Sequence, residues 1–302
     1  MGKLAFVFPG QGSQTPGMGR RFSDRYREAE EVFRLCDRIR PGTSEQCFFG
    51  DEEELLDTSA AQPCLFAMEM AAAEVLKAHR IFPDAVAGFS LGEVAACTFA
   101  GMFPFEQGFR LVVKRGEYMK EAAAGTSSFM AAVLRLSEEQ VKHACLLTGD
   151  VYPVNYNCPG QISVSGLKSR QSEFEKHIRS AGGRCIPLKV SGPFHSPIME
   201  KAASRFYHTL QSVHMENPSI TVYSNVTARP YDDGRAELLS GQIRSPVRWA
   251  ELISNMILSG VDTFIEVGPG NTLTGMIRRI NPAVKTYQTS DLDSIFREVR
   301  IC

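Results

Sequence analysis

The sequence predicts an α/β protein with a mostly parallel sheet, interrupted by a smaller unit of different rhythm. Three observations predict it. Short apolar runs rich in strand formers alternate with stretches of helical periodicity, the pattern of a parallel sheet flanked by helices. A glycine-x-serine-x-glycine sequence stands where one such run ends and a helix begins. Between residues 126 and 190 the order changes to βαββαβ, the ferredoxin-like plan, which folds as a unit of its own.

Residues 3–8 (KLAFVF) form the first strand candidate, stopped by Pro9 and Gly10, where glycine permits a tight turn. Residues 62–78 carry Leu65, Phe66, Met68, Ala72, Val75 and Leu76 at helical spacing. Residues 84–88 (DAVAG) form a short strand opening into a helix over 90–101, and 105–124 reads as another helix. In the smaller unit, 129–136 is a strand, and Ser137 to Gln140 fits a capping box that opens a helix to Leu147. Strands 151–157 and 161–166 flank a Cys158-Pro159-Gly160 turn; 169–181 is helical and 184–190 is the last strand. The α/β pattern resumes with helix 198–213, strand 220–225, helix 248–258, strand 263–267 and helix 272–279.

At about 150 residues per domain, 302 residues suggest two domains. Composition is that of an ordinary globular chain, 43% hydrophobic and 22% charged. Thirty-three Lys and Arg against 34 Asp and Glu leave a net charge of -1, so no overall positive field would hold nucleic acid or an anionic membrane. The N-terminal apolar run is too short for a signal peptide, and no run approaches a membrane span, so the expectation is a cytoplasmic protein. Eight cysteines include no CxxC pair and no zinc-ligand spacing; they read as reduced structural thiols, with no metal expected.

Gly88-Phe89-Ser90-Leu91-Gly92 has the form of a nucleophile elbow. Small residues two before and two after the serine let the backbone turn sharply and expose the hydroxyl at a helix N-terminus, with the following amide aimed at a developing oxyanion. The larger domain is expected to be α/β-hydrolase-like. A serine needs a base. His177, His208, His214, His79 and His143 read as surface residues, whereas His195 lies in the rigid loop 191–197 between a strand and a helix, with proline on both sides. The residues alone leave a bland loop histidine as good a reading. Arg115, on a helix, reads by itself as a solvated arginine; fixed near a nucleophile it would suit a substrate carboxylate. Gly268-Pro269-Gly270 and the PGQGSQ loop have neither GxGxxG nor a GK[ST] ending, so neither is read as a phosphate loop.

Taken together, these pieces resemble the malonyl-CoA:acyl carrier protein transacylase family. The matching segments are FPGQGSQTPGMG (8–19), AQPCLFAMEMA (61–71), GFSLGEVAA (88–96), VVKRGEYM around Arg115, NYNCPGQISVSG (155–166), VSGPFHSPIM (190–199), VYSNVTARP (222–230), QIRSPVRW (242–249) and EVGPGNTLTGMIRRI (266–280). The resemblance implies that Ser90 attacks malonyl-CoA and carries the malonyl ester, that His195 is its base, and that Arg115 pairs with the free malonyl carboxylate. It implies an oxyanion hole from the amides of Gln11 and Leu91, and a main-chain carbonyl at Gln242 in place of a triad aspartate. Phe194 resembles malonyl-selecting members, where a bulky ring leaves little room for an α-methyl branch. The chain departs from the family at Phe89, where GHSLG is usual, which bears on polar contacts near the pocket and on acceptor preference.

The function this implies is ping-pong transfer of malonyl from malonyl-CoA to the phosphopantetheine thiol of acyl carrier protein, by a monomer without metal or redox cofactor. Lys114, Lys189 and Arg248 are candidates for a basic patch that docks the acidic carrier. The alternatives are an acyl thioester hydrolase, a trans-acting polyketide-synthase acyltransferase with another dicarboxylic donor, or a catalytically silent docking subunit. Because Ser90 and Arg115 precede the βαββαβ unit while His195 and Gln242 follow it, the larger domain is expected to be discontinuous, 1–125 plus 191–302, with 126–190 inserted.

Overall fold

The apolar run KLAFVF becomes β1 (Lys3–Phe8), the central strand of a five-stranded sheet. Its neighbours are β2 (Ala85–Gly88) on one side and β8 (Val261–Glu266) on the other, with β7 (Thr221–Tyr223) and β9 (Lys285–Gln288) at the edges. Every pairing in this sheet is parallel. Ala5 to Phe8 are all fully buried, as expected of a strand covered on both faces. Alternation assigns the two faces: Phe6 and Phe8 enter one core, Ala5 and Val7 another. The computed structural model describes residues 2–190 and 192–299, so Ser191 of the proline-flanked loop and Cys302 lie outside the described residues.

Between β1 and β2 the chain forms α1 (Arg20–Arg25), α2 (Arg27–Ile39), α3 (Thr43–Phe49), α4 (Glu52–Leu56) and α5 (Thr58–Ala78). The periodicity reading covers none of residues 20–56, although α2 buries Ala29, Val32, Phe33 and Cys36 at helical spacing. Helix α5 starts at Thr58, ahead of the expected 62, because Asp57 caps it by accepting from the Ser59 amide. It is buried nearly all round, so its apolar surface reads as continuous rather than as a stripe.

After β2 come α6 (Leu91–Phe99) and α7 (Phe105–Ala123), and the chain then leaves the parallel sheet. It builds β3 (Ser128–Leu134), α8 (Glu138–Thr148), β4 (Val151–Cys158), β5 (Gln161–Leu167), α9 (Gln171–Ser180) and β6 (Arg184–Pro187). These strands form a separate antiparallel sheet in the order β4-β5-β3-β6. The expected capping box is present: the Ser137 hydroxyl accepts from the Gln140 amide and the Gln140 side chain accepts from the Ser137 amide. Phe129, Ala131 and Val133 pack with Phe174 and Ile178 of α9 in a third core, while Met130, on the opposite face of β3, joins the core of the larger unit. Strand β6 ends at Pro187, three residues short of the expected 190.

The chain then returns through α10 (Glu200–Gln211), β7, α11 (Arg235–Gly241), α12 (Trp249–Leu258), β8, α13 (Thr272–Ile280), β9 and α14 (Leu292–Glu298). The reading above did not include α11, β9 and α14. Helices α12 and α13 cover the Ala5/Val7 face with Trp249, Leu252, Ile253, Met256, Leu273 and Ile277. Among the described residues no helix is long and apolar enough to cross a membrane. Among the described residues the seven cysteines are free thiols.

The small antiparallel sheet depends on few large side chains, and Phe174 is fully buried among them. Phe174→Ala is expected to cost about 3 to 5 kcal/mol in equilibrium denaturant unfolding; a loss under about 1 kcal/mol would show that this core collapses to fill the gap.

Candidate active site

Strand β2 ends at Gly88 and helix α6 begins at Leu91, so Phe89 and Ser90 must reverse the chain in two residues. Ser90 does so at φ 56°, ψ -107°, a conformation that costs a non-glycine residue on the order of 1 to 3 kcal/mol. The glycines on either side are steric requirements. A Cβ on Gly88 would sit 1.8 Å from the Gly92 carbonyl carbon, and one on Gly92 would sit 2.1 Å from the Phe8 oxygen. Asn225 holds the turn from outside: its Oδ1 accepts from the Ser90 amide (2.8 Å) and its Nδ2 donates to the Gly88 carbonyl (2.6 Å).

The Ser90 hydroxyl meets His195 Nε2 at 2.7 Å. His195 Nδ1 lies 2.8 Å from the Gln242 main-chain carbonyl. A carbonyl only accepts, so Nδ1 carries the proton and Nε2 is left to receive the serine hydrogen. Like Ser90, His195 adopts a positive φ, 62°, and its amide is tied to the Ile243 carbonyl (3.1 Å). Burial, helped by the Arg115 charge, holds the imidazole pKa down at about 4, so the ring is neutral at pH 7. Gln242 thus supplies a carbonyl where a triad would have a carboxylate.

Arg115, on α7, is 1% exposed. Its Nη1 donates to Gln62 Oε1 (2.6 Å), and its Nη2 donates to Gln242 Oε1 (2.6 Å) and to the Ser90 hydroxyl (3.2 Å). Burial lowers its pKa to about 10, still well above neutrality. Among the described residues no carboxylate lies within ion-pair distance of it. Its side-chain partners are two carboxamides and a hydroxyl, and the Glu93 charge acts on it from the far side of Gln242 rather than in contact, so the guanidinium can still take an anion directly.

Leu91 opens α6, so its amide has no intrahelical acceptor. Gln11 follows β1 in the neighbouring loop, where its side-chain oxygen accepts from the Thr58 hydroxyl (2.8 Å). A Cβ on Gly10 would lie 2.5 Å from the Phe89 oxygen, so glycine lets the two loops meet. A cavity of about 220 Å³ opens there, between the ends of β1 and β2 and the antiparallel sheet; Gln11, Phe89, Asn155, Leu188 and Met276 line it. Phe89, half-buried, meets the Trp249 ring edge to face at 5.4 Å and presents hydrocarbon where the usual histidine would present nitrogen. Phe194 is buried beside His195. A larger cavity, about 450 Å³, lies at the ends of β8 and β9; neither cavity is lined by Ser90 or His195 themselves, and the smaller one borders the site through Gln11 and Phe89.

The structure therefore brings Ser90, His195, Arg115 and Gln242 into direct contact, with Gln11 and Leu91 on the loops that meet at Ser90. Of the basic candidates for docking, Lys114 pairs with Glu117 and Arg248 with Glu251, while Lys189 is exposed. Sequence reasoning gave no role to Gln62, Glu93, Asn225 or Tyr231. Glu93 is fully buried, with its Oε1 accepting from the Tyr231 hydroxyl (2.7 Å) and the Asn225 amide (3.0 Å). The first three lie in segments that carry the resemblance, and that was the available signal.

The acyl transferase domain family matches residues 5–290. The malonyl CoA-acyl carrier protein transacylase of Bacillus subtilis (strain 168) is 39% identical over 98% of this chain and 96% of its own. The crystal structure of malonyl CoA-acyl carrier protein transacylase from Clostridium perfringens superposes with a TM-score of 0.93 at 38% identity, covering 98% of this chain and 96% of that one. A third relative is a malonyl-transacylase solved in complex with its type II PKS acyl-carrier protein: TM-score 0.94, 32% identity, 98% and 99% coverage.

A neutral imidazole can accept the Ser90 proton and an imidazolium cannot, so with His195 held at about 4, labelling of Ser90 by a fluorophosphonate is expected to be at its plateau at neutral pH and half-maximal near pH 4. His195→Ala should abolish it. A midpoint near the ordinary imidazole value of about 6.5 would mean that neither burial nor Arg115 depresses the ring.

Proposed function

The chain belongs to the malonyl-CoA:acyl carrier protein transacylase family, and on that premise we propose that it moves a malonyl group from malonyl-CoA to the phosphopantetheine thiol of an acyl carrier protein through an ester on Ser90. The observation that carries this reading is Arg115, a buried guanidinium 3.2 Å from the serine hydroxyl that no carboxylate contacts among the described residues. A plain acyl chain has no use for that charge; a malonyl carboxylate does.

In the first half-reaction Ser90 Oγ attacks the thioester carbonyl as its proton passes to His195 Nε2. The oxyanion forms against the Gln11 and Leu91 amides, each worth about 3 kcal/mol by comparison with other acyl-transfer sites. Collapse breaks the C–S bond, and the departing thiolate takes the proton from His195. The second half-reaction runs the same steps in reverse order with the carrier thiol as nucleophile, and Ser90 regains its proton. The malonyl carboxylate also assists the base: by offsetting Arg115 it removes the field that opposes an imidazolium at His195. Protons pass among serine, imidazole and thiols, so the scheme calls for no metal and no redox cofactor. Phe194 narrows the pocket against an α-methyl branch.

We read the antiparallel sheet and its two helices as a ferredoxin-like domain, 126–190, inserted into an α/β-hydrolase-like domain formed by 1–125 and 191–302. Support comes from the strand order β4-β5-β3-β6 with helices after the first and third strands in sequence, and from the nucleophile elbow at the carboxyl end of β2. Every group the scheme uses comes from one chain, in keeping with a cytoplasmic monomer.

Radiolabelled malonyl-CoA is expected to place label on added carrier protein; mainly free malonate in the presence of carrier would make the protein a hydrolase instead. Arg115→Ala should lower kcat/KM for malonyl-CoA about a hundredfold more than for acetyl-CoA, the loss expected when one partner of a buried charge pair is removed. Equal losses for the two donors would remove the carboxylate clamp.

A further inference from the structure

Glu93 lies three residues beyond Ser90 on α6 and is fully buried. Besides the Tyr231 hydroxyl and the Asn225 amide, its carboxylate accepts from Gln242 Nε2 at 2.5 Å. That carboxamide also donates to the Ser90 carbonyl (2.6 Å), and its oxygen accepts from Arg115 (2.6 Å). A carboxylate at its nitrogen and a guanidinium at its oxygen leave the amide only one orientation. Glu93 and Arg115 are thus opposite charges at the two ends of one carboxamide.

Resting on the malonyl reading above, we propose that Glu93 is a positioning residue for the acyl carboxylate: through Gln242 it holds Arg115 in the empty site, and it takes up a proton from solvent when a dicarboxylic acyl group docks on the guanidinium. The cause is charge balance. Arg115 and ionised Glu93 sum to zero, so an arriving carboxylate leaves one uncompensated negative charge among buried side chains. One proton moving from solvent to the Glu93 carboxyl restores neutrality, and no bond of the acyl group changes. An acetyl group brings no charge and draws no proton.

Burial pushes the Glu93 carboxyl up, its three hydrogen bonds and Arg115 pull it back, and it rests at about 7. The other titratable groups around it are remote from neutrality. Burial pushes Tyr231, and Cys97 on its own helix, well above their ordinary values. Across Gln242, Arg115 is held at about 10 and His195 at about 4. Malonyl binding favours protonated Glu93, so kcat/KM, which reports the free enzyme, is highest below pH 7 and falls as pH rises through that value.

The test is kcat/KM for acylation of Ser90, followed by quenched-flow and intact mass, with malonyl-CoA and with acetyl-CoA from about pH 6 to 8.5. The wild-type malonyl value is expected to fall about tenfold around pH 7, one pKa unit of coupling, while the acetyl profile stays flat. Glu93→Gln sets two amide donors against each other at Gln242, so it should lower the malonyl value more than the acetyl value and flatten the malonyl profile. Tyr231→Phe removes one donor from the carboxylate, raises its pKa and should move the midpoint to higher pH. A malonyl decline that persists in E93Q, an equal decline with acetyl-CoA, or an unmoved midpoint in Y231F overturns the proposal. If E93Q does not fold, the donor contrast and Y231F decide. A wild-type protein that forms no malonyl ester overturns the malonyl reading itself, whereas a normal ester with a flat profile overturns only the role of Glu93.

Discussion

Gln242 is the residue on which the rest of the site depends. Its main-chain carbonyl orients His195, and its carboxamide joins Arg115, the Ser90 carbonyl and Glu93, all without exposure to solvent. A buried amide with each polar atom matched has one low-energy placement, so the imidazole, the guanidinium and the serine share one frame. A carbonyl in place of a carboxylate has an electrostatic consequence as well. It selects the histidine tautomer without adding a negative charge, so the imidazole stays at about 4 and Arg115 keeps its field for a ligand.

The elbow shows the same dependence in steric form. Ser90 is strained, and the strain is held by Asn225 from one side and by two glycines that let α6 press against β1. His195 carries a second positive φ on the facing loop. Two strained residues 2.7 Å apart, each fixed by main-chain hydrogen bonds, give a hydroxyl and an imidazole that need no rearrangement to meet.

Three buried ionisable groups are displaced in different directions within a few side chains of one another. Desolvation acts on all of them and local partners decide where each stops: His195 at about 4, Glu93 at about 7, Arg115 at about 10. Such spreading of ionisation is what allows a site without a formal anion next to its histidine to hold a neutral imidazole and a charged guanidinium together.

Much was legible in the sequence because it is encoded locally. The GFSLG turn, the Ser137 capping box, the short strands of the small sheet and the proline-flanked His195 loop each depend on residues a few positions apart. Residues 20–56 were missed although α2 carries Ala29, Val32, Phe33 and Cys36 at helical spacing, whereas α11, β9 and α14 are too short to show a period, and packing completes them. The family segments named Ser90, His195, Arg115 and Gln242 as site residues. What only the tertiary structure decided is the network: Gln62 on Arg115 from 53 residues away, Gln242 on Arg115 from 127, and Glu93 on Gln242 from 149. A hydrogen bond is set by distance and direction to within a few tenths of an ångström, and across such separations those are determined by sheet register and helix packing, which no local pattern records.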